Sequence, residues 1–286
     1  MTERKIWVRL SVSVLACALL ALPCAWATGN IDSTNKTAWT ENTGWANAEP
    51  TNGGITVHFD GISGYLTGHI WGENVGWIKM GNDSGGPYTN SSASDWGVNL
   101  NSTGNLTGYA WGENIGWINF TSAYSAVTID MATGRFDGYA WGENIGWLKF
   151  KGSTPDYNVR TLAFDTQAQG TPNWWLDHHS VTEGYNAGDG VAAWKKYVMD
   201  TDPNIEGDYL RITALSNSPA GTQVSFMPAS TRRYYTLMRR EDLTTGGWSN
   251  VVGEVNIQYG TGGAKTMQDT NTATLMFYRV QVSVSP

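Results

Sequence analysis

Four copies of one eight-residue unit constrain this chain more than any other feature. They occupy Ala38 to Trp45, Ile70 to Trp77, Ala110 to Trp117 and Ala140 to Trp147, and the last two both read Ala-Trp-Gly-Glu-Asn-Ile-Gly-Trp. The first tryptophans of successive copies are 32, 40 and 30 residues apart. The long interval contains the polar stretch from Gly81 to Ser92, which reads as a surface loop inserted between units. A repeat this short cannot bury an apolar face alone, so the copies must stack, and a terminal copy is expected to be atypical. The first one is: Thr40 and Thr43 replace the glycine and isoleucine, and Ala46 replaces the isoleucine after the second tryptophan.

Within each unit the apolar residues alternate, the period of a strand. Val127, Ile129 and Met131 alternate with polar neighbours, Asp130 to Gly134 supplies a turn, and Phe136, Gly138 and Ala140 resume the alternation. A second reversal from Gly142 to Gly146, with Asn144 and two glycines available for left-handed backbone, leads into Trp147 to Phe150. Each unit is therefore expected to be three short antiparallel strands. Tyr157 to Phe164 reads as a further copy of the opening strand without the motif after it. It is expected either to close the sheet against the first unit or to pair between molecules and build a fibre.

Alternation also sorts the faces. Leu106, Ala110, Ile118 and Phe120 fall on the core face. Tyr109, Trp111, Trp117, Asn119, Tyr139, Trp141, Trp147, Trp71 and Trp77 form a candidate binding face of flat aromatics and polar groups, suited to sugar rings or to a protein neighbour. The same tryptophans also fit cross-strand structural pairs worth about 0.5 to 1.5 kcal/mol beyond area burial. Glu73, Asn74, Glu113, Asn114, Glu143 and Asn144 are read as turn-structural, the asparagines taking left-handed backbone and the carboxylates accepting turn amides.

Residues 1–27 read as a secretory signal: Arg4, Lys5 and Arg9 against Glu3, an apolar run from Leu10 to Leu22, and Ala25-Trp26-Ala27 before the cut. The run is too short for a membrane span. Removing this segment of net charge +2 takes the chain from −7 to −9, and it takes both cysteines, Cys17 and Cys24. Disulfides, thiol chemistry and cysteine-bound metal are thereby excluded. The acidic balance excludes a phosphate-binding, nucleic-acid protein. Catalysis is not expected: four equivalent glutamates do not give the two differentiated carboxylates of a glycosidase, and no nucleophile elbow, phosphate loop or His-x-x-x-His spacing occurs. No catalytic residue, metal ligand or cofactor is assigned, and His178 and His179 are read as solvated or capping.

Residues 169–207 change character. Trp174 to His179 reads as a short helix, and Asp189 as the cap of a second in which Val191, Trp194 and Val198 share a face, stopped by Asp202-Pro203. From Tyr209 onward period-two runs return, at Leu210 to Ile212, Val224 to Phe226, Tyr234 to Leu237, Val251-Val252 and Phe277 to Val282. They suggest a small immunoglobulin-like sandwich over 208–286.

The units from Ala38 to Phe150 resemble a repeat family of the form G-Y-A-W-x-E-N-I-G-W-I-x-F, found in exported proteins of environmental bacteria and without an assigned activity. The tail from Asp189 resembles a C-terminal module of secreted bacterial proteins: a calcium-loop-like segment similar to dockerin or thrombospondin type 3 repeats, then Thr201-Asp202-Pro203, then a sandwich with Tyr235-Thr236-Leu237, Trp248 and Phe277 to Val280. The loop departs from that pattern, since Tyr185, Ala187 and Lys196 stand at three ligand positions and only Asp189 remains, so calcium is not expected. The chain is thus expected to be mainly all-β: an antiparallel repeat domain over 28–168, a helical connector over 169–207 and the sandwich. It is expected to be secreted or held at the cell surface as a structural, adhesive or self-assembling protein. Its expected partners are a second copy of itself or cell-surface polysaccharide. The alternative is a carbohydrate-binding protein, and third a glycan-active enzyme.

Overall fold

Alternation becomes antiparallel pairing along the whole repeat region. The computed structural model describes residues 29–271 and 276–286, so the expected leader, its cut after Ala27 and both cysteines lie outside the described residues. The first unit contributes β1 (Ile31–Thr40) and β2 (Gly44–Asn47). The second contributes β3 (Ile55–Phe59), β4 (Gly64–Gly72) and β5 (Gly76–Lys79). The third contributes β6 (Val98–Leu100), β7 (Leu106–Gly112) and β8 (Gly116–Asn119). The fourth contributes β9 (Thr128–Asp130), β10 (Arg135–Asp137), β11 (Tyr139–Gly142) and β12 (Gly146–Lys149), followed by β13 (Lys151–Ser153) and β14 (Asp156–Thr161).

The motif hairpins are β1–β2, β4–β5, β7–β8 and β11–β12. Each pairs with the next, and β12 returns to β1 with Trp39 opposite Lys149 and Thr40 opposite Leu148. An eight-stranded ring therefore closes. The long strands run on into a second tier, bending at Gly68, Gly108 and Gly138, which hold positive φ and where a Cβ would overlap a carbonyl oxygen. There β3, β6, β9 and β14 are the opening strands, and β14 pairs with β1, Ile31 opposite Thr161. Of the two expected fates for the extra opening strand, closure within the molecule is the one observed. Asn30 completes this tier: its N–H donates to the Ile55 carbonyl (3.0 Å), its side chain exchanges bonds with Val57 (2.9 and 2.8 Å), and its carbonyl accepts from Leu162 (2.7 Å).

One continuous core fills both tiers. Ala38, Ala46, Ile70, Ile78, Ala110, Ile118, Ala140 and Leu148 point inward in the hairpin ring and are fully buried, as are Leu106 and Phe120. Val75, Ile115 and Ile145 plug the hairpin end, each against the motif's first glycine; a Cβ at Gly142 would stand 2.8 Å from Ile145 Cγ1. Unit one solves the same packing differently. Thr40 carries that Cβ, and position 43 is a threonine whose Oγ1 lies 2.5 Å from Thr40 Oγ1, which also donates to the Gly44 carbonyl at 2.8 Å.

The connector holds α1 (Asn173–His179) and α2 (Ala193–Met199). The sandwich packs a sheet of β15 (Arg211–Ser218), β16 (Gly221–Ala229) and β20 (Gly263–Asp269) on one of β17 (Tyr234–Arg240), β18 (Ser249–Asn250), β19 (Ile257–Gln258) and β21 (Phe277–Ser283). Val224, Phe226, Tyr235, Leu237, Val251 and Met267 form its core. Val251 is thus a core residue beside a two-residue strand, not part of the strand expected at 251–252, and β20 was not anticipated. Three helical expectations also change. Asp189 does not cap α2, whose N-cap is Ala192 with no side-chain cap; its buried residues are Ala193 and Lys196; and it ends before Pro203, where Asp200 takes left-handed backbone.

Exchanging the two packing solutions tests this account. Thr43→Ile alone should destabilise by about 1 to 3 kcal/mol through overpacking against Thr40, and adding Thr40→Gly should recover much of the loss. Urea denaturation of the four members of the cycle reads the coupling, and strictly additive losses would contradict it.

Candidate functional site

Strand register puts every residue of the candidate binding face outside the ring. Trp71 stands opposite Trp77, Trp111 opposite Trp117, Trp141 opposite Trp147 and Tyr109 opposite Asn119. Trp77 and Trp117 keep 40% and 44% of their surface exposed, Tyr139 41%, and Tyr109, Trp111, Asn119 and Trp147 are half-buried. Within each hairpin the indoles meet edge to face, with centroids at 4.7 Å for Trp39–Trp45 and Trp111–Trp117 and 4.8 Å for Trp71–Trp77 and Trp141–Trp147. The pairs are therefore structural and exposed at once: each holds its hairpin by an edge contact and leaves indole surface for solvent or a ligand.

The motif asparagines depart from expectation. Left-handed φ falls on the second glycine, such as Gly146 at 67°, and not on Asn74, Asn114 or Asn144. Instead these side chains reach across to the preceding unit and donate to the carbonyls of Thr43 (2.8 Å), Val75 (3.0 Å) and Ile115 (3.0 Å). At the seam the Asn42 backbone N–H donates to the Ile145 carbonyl at 3.1 Å. Each asparagine is a clamp between neighbouring hairpins. Glu73, Glu113 and Glu143 are exposed and accept no turn amide among the described residues; only Glu41 does so, from Trp147 N–H at 3.4 Å across the seam.

The four inter-unit grooves are not equal. Facing the first tryptophan of the next unit stand Asn47 (Trp71), Lys79 (Trp111), Asn119 (Trp141) and Lys149 (Trp39). Lys79 is held by Asp83, Lys149 lies over the Tyr139 ring, and Trp45 is covered by Tyr157 at 5.2 Å. Between units three and four a groove of about 490 Å³ remains, walled by Trp111, Trp117 and Trp141 and edged by Tyr109, Asn119 and Glu143. Asn119 Oδ1 accepts from the Thr121 N–H at 2.7 Å, and its amide N–H₂ has no partner among the described residues. Among the described residues the three indole N–H groups, the Tyr109 hydroxyl and the Glu143 carboxylate also make no hydrogen bond. Trp96, four residues past the inserted loop, packs edge-on against Trp117 at 5.1 Å and buttresses it from outside the groove lining; a lone tryptophan outside the motif gave no signal for this.

A larger cleft of about 570 Å³ lies where Asp60 and Gly61, α1, the end of α2 and Arg232 of the sandwich meet. Its strongest charges neutralise one another: Arg232 holds Asp200 through Nε (3.0 Å) and Nη2 (2.8 Å). His179 Nδ1 meets the Trp175 carbonyl at 3.1 Å in the last turn of α1, a capping position, and His178 is exposed.

The calcium-loop-like segment carries its own cation. Lys196 is fully buried, its Nζ 2.8 Å from Asp189 Oδ2 and 2.6 Å from the Ile205 carbonyl oxygen. The Val191 and Gly207 amides donate to Asp189 at 2.9 Å each. The lysine at the position of the usual bidentate acid thus brings its ammonium to the remaining acidic ligand. That ammonium, with the two amides, holds the Asp189 carboxyl down to about 2. Among the described residues no group of three or more His, Cys, Asp or Glu side chains is disposed to hold a metal.

Compared with known proteins, the chain matches no family model, no curated protein and no solved structure.

Because the Asp189 pKa is lowered on folding, the stability it contributes is complete above about pH 4 and is lost as pH falls through about 2. Lys196→Met should lower the thermal midpoint at pH 7 and flatten the acid limb between those values. Millimolar calcium should leave the midpoint of the unaltered chain in place, and a calcium-dependent rise would contradict the built-in cation.

Proposed function

We propose that this is an exported, non-catalytic adhesive scaffold whose contact surface is the tryptophan belt, and that the belt holds neutral sugar rings of a polysaccharide. The groove between units three and four carries this reading. A sugar ring offers an apolar C–H face and a polar rim, and this groove offers indole walls together with unpaired N–H, O–H, amide and carboxylate groups. Asn119 at its edge, where two other grooves have lysine, favours an uncharged ligand. Adhesion is favoured over fibre growth because β1 and β14, the strand ends a filament would recruit, are paired inside the molecule. Glu73, Glu113 and Glu143 are alike in being exposed and without a hydrogen-bond partner among the described residues, which does not favour the differentiated pair of carboxylates that acid and base catalysis uses.

Tryptophan fluorescence titrated with neutral and acidic polysaccharides tests the reading. A neutral glucan should shift the emission. Trp117→Ala should remove that shift and weaken binding about tenfold, ~1.4 kcal/mol, while Trp248→Ala in the sandwich leaves it intact. Equal binding by both variants would remove the groove from the account. Sedimentation of the concentrated protein should show no filaments.

A further inference from the structure

The outward face of the second tier carries a further cluster of rings, separate from the tryptophan belt. His58 of β3 stands opposite Tyr65 of β4 and stacks on it with centroids 4.6 Å apart. Trp174 of α1 packs edge-on against Phe59 at 5.3 Å. Between these rings, the β3–β4 turn and α1 lies a cleft of about 430 Å³. Two carboxylates line it, Asp60 from the turn and Asp177 from the helix, and no lysine or arginine does. Asp60 is fixed in place: its Oδ1 accepts the Ile62 and Ser63 amides at 2.8 and 2.7 Å, which leaves Oδ2 with the Ser63 hydroxyl at 3.5 Å. Asp177 has no such support. Its carboxylate makes no hydrogen bond or ion pair among the described residues, and it stands in the last turn of α1, where a helix disfavours negative charge. Partial removal from water pushes its carboxyl up, and the opposing influence is the His58 imidazole. Burial pushes that imidazole down, so it is neutral at pH 7 and supplies no counter-charge. Its Nε2 is engaged with the Thr67 hydroxyl at 2.9 Å.

We propose that this cleft is a carbohydrate site separate from the belt, and that its ligand is an amino sugar with a free ammonium, held by Asp60 and Asp177 against the Tyr65 and Trp174 rings. An aromatic face attracts an organic cation, and the attraction grows as water is displaced. Carboxylates beside that face supply the matching charge. An ammonium settling between Asp60 and Asp177 also relieves the cost that an unsupported acid imposes on α1. The hydroxyl groups extend the match beyond a bare amine. Those of Thr56 and Tyr65 make no hydrogen bond among the described residues, and Ser63 adds a third at the turn. A deacetylated amino sugar presents an apolar ring face, hydroxyls and a charged nitrogen, so it answers all three kinds of group in the cleft; a lysine side chain leaves the hydroxyls unanswered. The net charge of −7 draws a polycation toward the molecule before any contact forms.

The test titrates the purified protein at about pH 6.5, where amines are charged and carboxylates ionised, with two β-1,4-linked hexasaccharides, one of glucosamine and one of N-acetylglucosamine. Calorimetry should show the glucosamine oligomer binding about tenfold tighter. Asp177→Asn should abolish that difference and leave the thermal midpoint unchanged or raised, because it removes an unsupported acid from a helix C-terminus. Carboxyl-carbon NMR of the unaltered chain should show Asp177 titrating at lower pH with the glucosamine oligomer bound, since an adjacent ammonium favours the ionised acid. Trp117→Ala should preserve the preference. Equal affinities for the two oligosaccharides, a preference that survives Asp177→Asn, or an Asp177 titration that does not move overturns the assignment. A preference lost in Trp117→Ala places the amine at the belt and overturns it as well, whereas a neutral glucan that fails to bind overturns the belt reading alone. A lysine peptide of the same charge that binds as tightly as the glucosamine oligomer overturns the sugar as ligand.

Discussion

The return of the last hairpin to the first strand is the interaction on which the molecule depends. β12 and β14 both pair with β1, one in each tier, so the two ends of the repeat region hold each other and leave no open ladder at the seam. Once the ring is closed, inward residues have only the core to enter and outward residues only the surface. The indole belt follows from that closure, because a side chain opposite a buried alanine or isoleucine has nowhere to point but out.

Much of this was legible in the sequence. Alternation at Leu106, Ala110, Ile118 and Phe120 announced the core face, the repeated tryptophans announced the hairpins, and Tyr157 to Phe164 announced a further opening strand, with closure of the sheet one of its two expected fates. What was not legible is what crosses between units. Asn74, Asn114 and Asn144 look like turn residues because asparagine so often is one; that they clamp the preceding hairpin depends on the distance between neighbouring tips, which no local pattern contains. Trp96 likewise came to buttress Trp117 only through the path of the long interval between the second and third units. In the sandwich β20 was missed because Gly263 to Asp269 is mostly polar, and only Met267 and Asp269 are buried there.

The connector shows how a single substitution can be misread as loss. Lys196 occupies the place of an acid in a loop pattern associated with calcium, and a reading by residue type alone registers a broken site. The loop is instead closed by a side chain: one ammonium satisfies the remaining carboxylate and a carbonyl that a dissolved ion would have bridged. Unlike an ion, it cannot be chelated or diluted away.

A quieter asymmetry lies in the residue two places after each second tryptophan: Asn47, Lys79, Asn119, Lys149. The backbone repeats four times around the axis, whereas the chemistry at this position repeats only twice. Since the position points outward, it can change without disturbing any core contact. The architecture thus offers a lineage four separately adjustable surfaces on one unaltered frame, each open to a new specificity through a single codon.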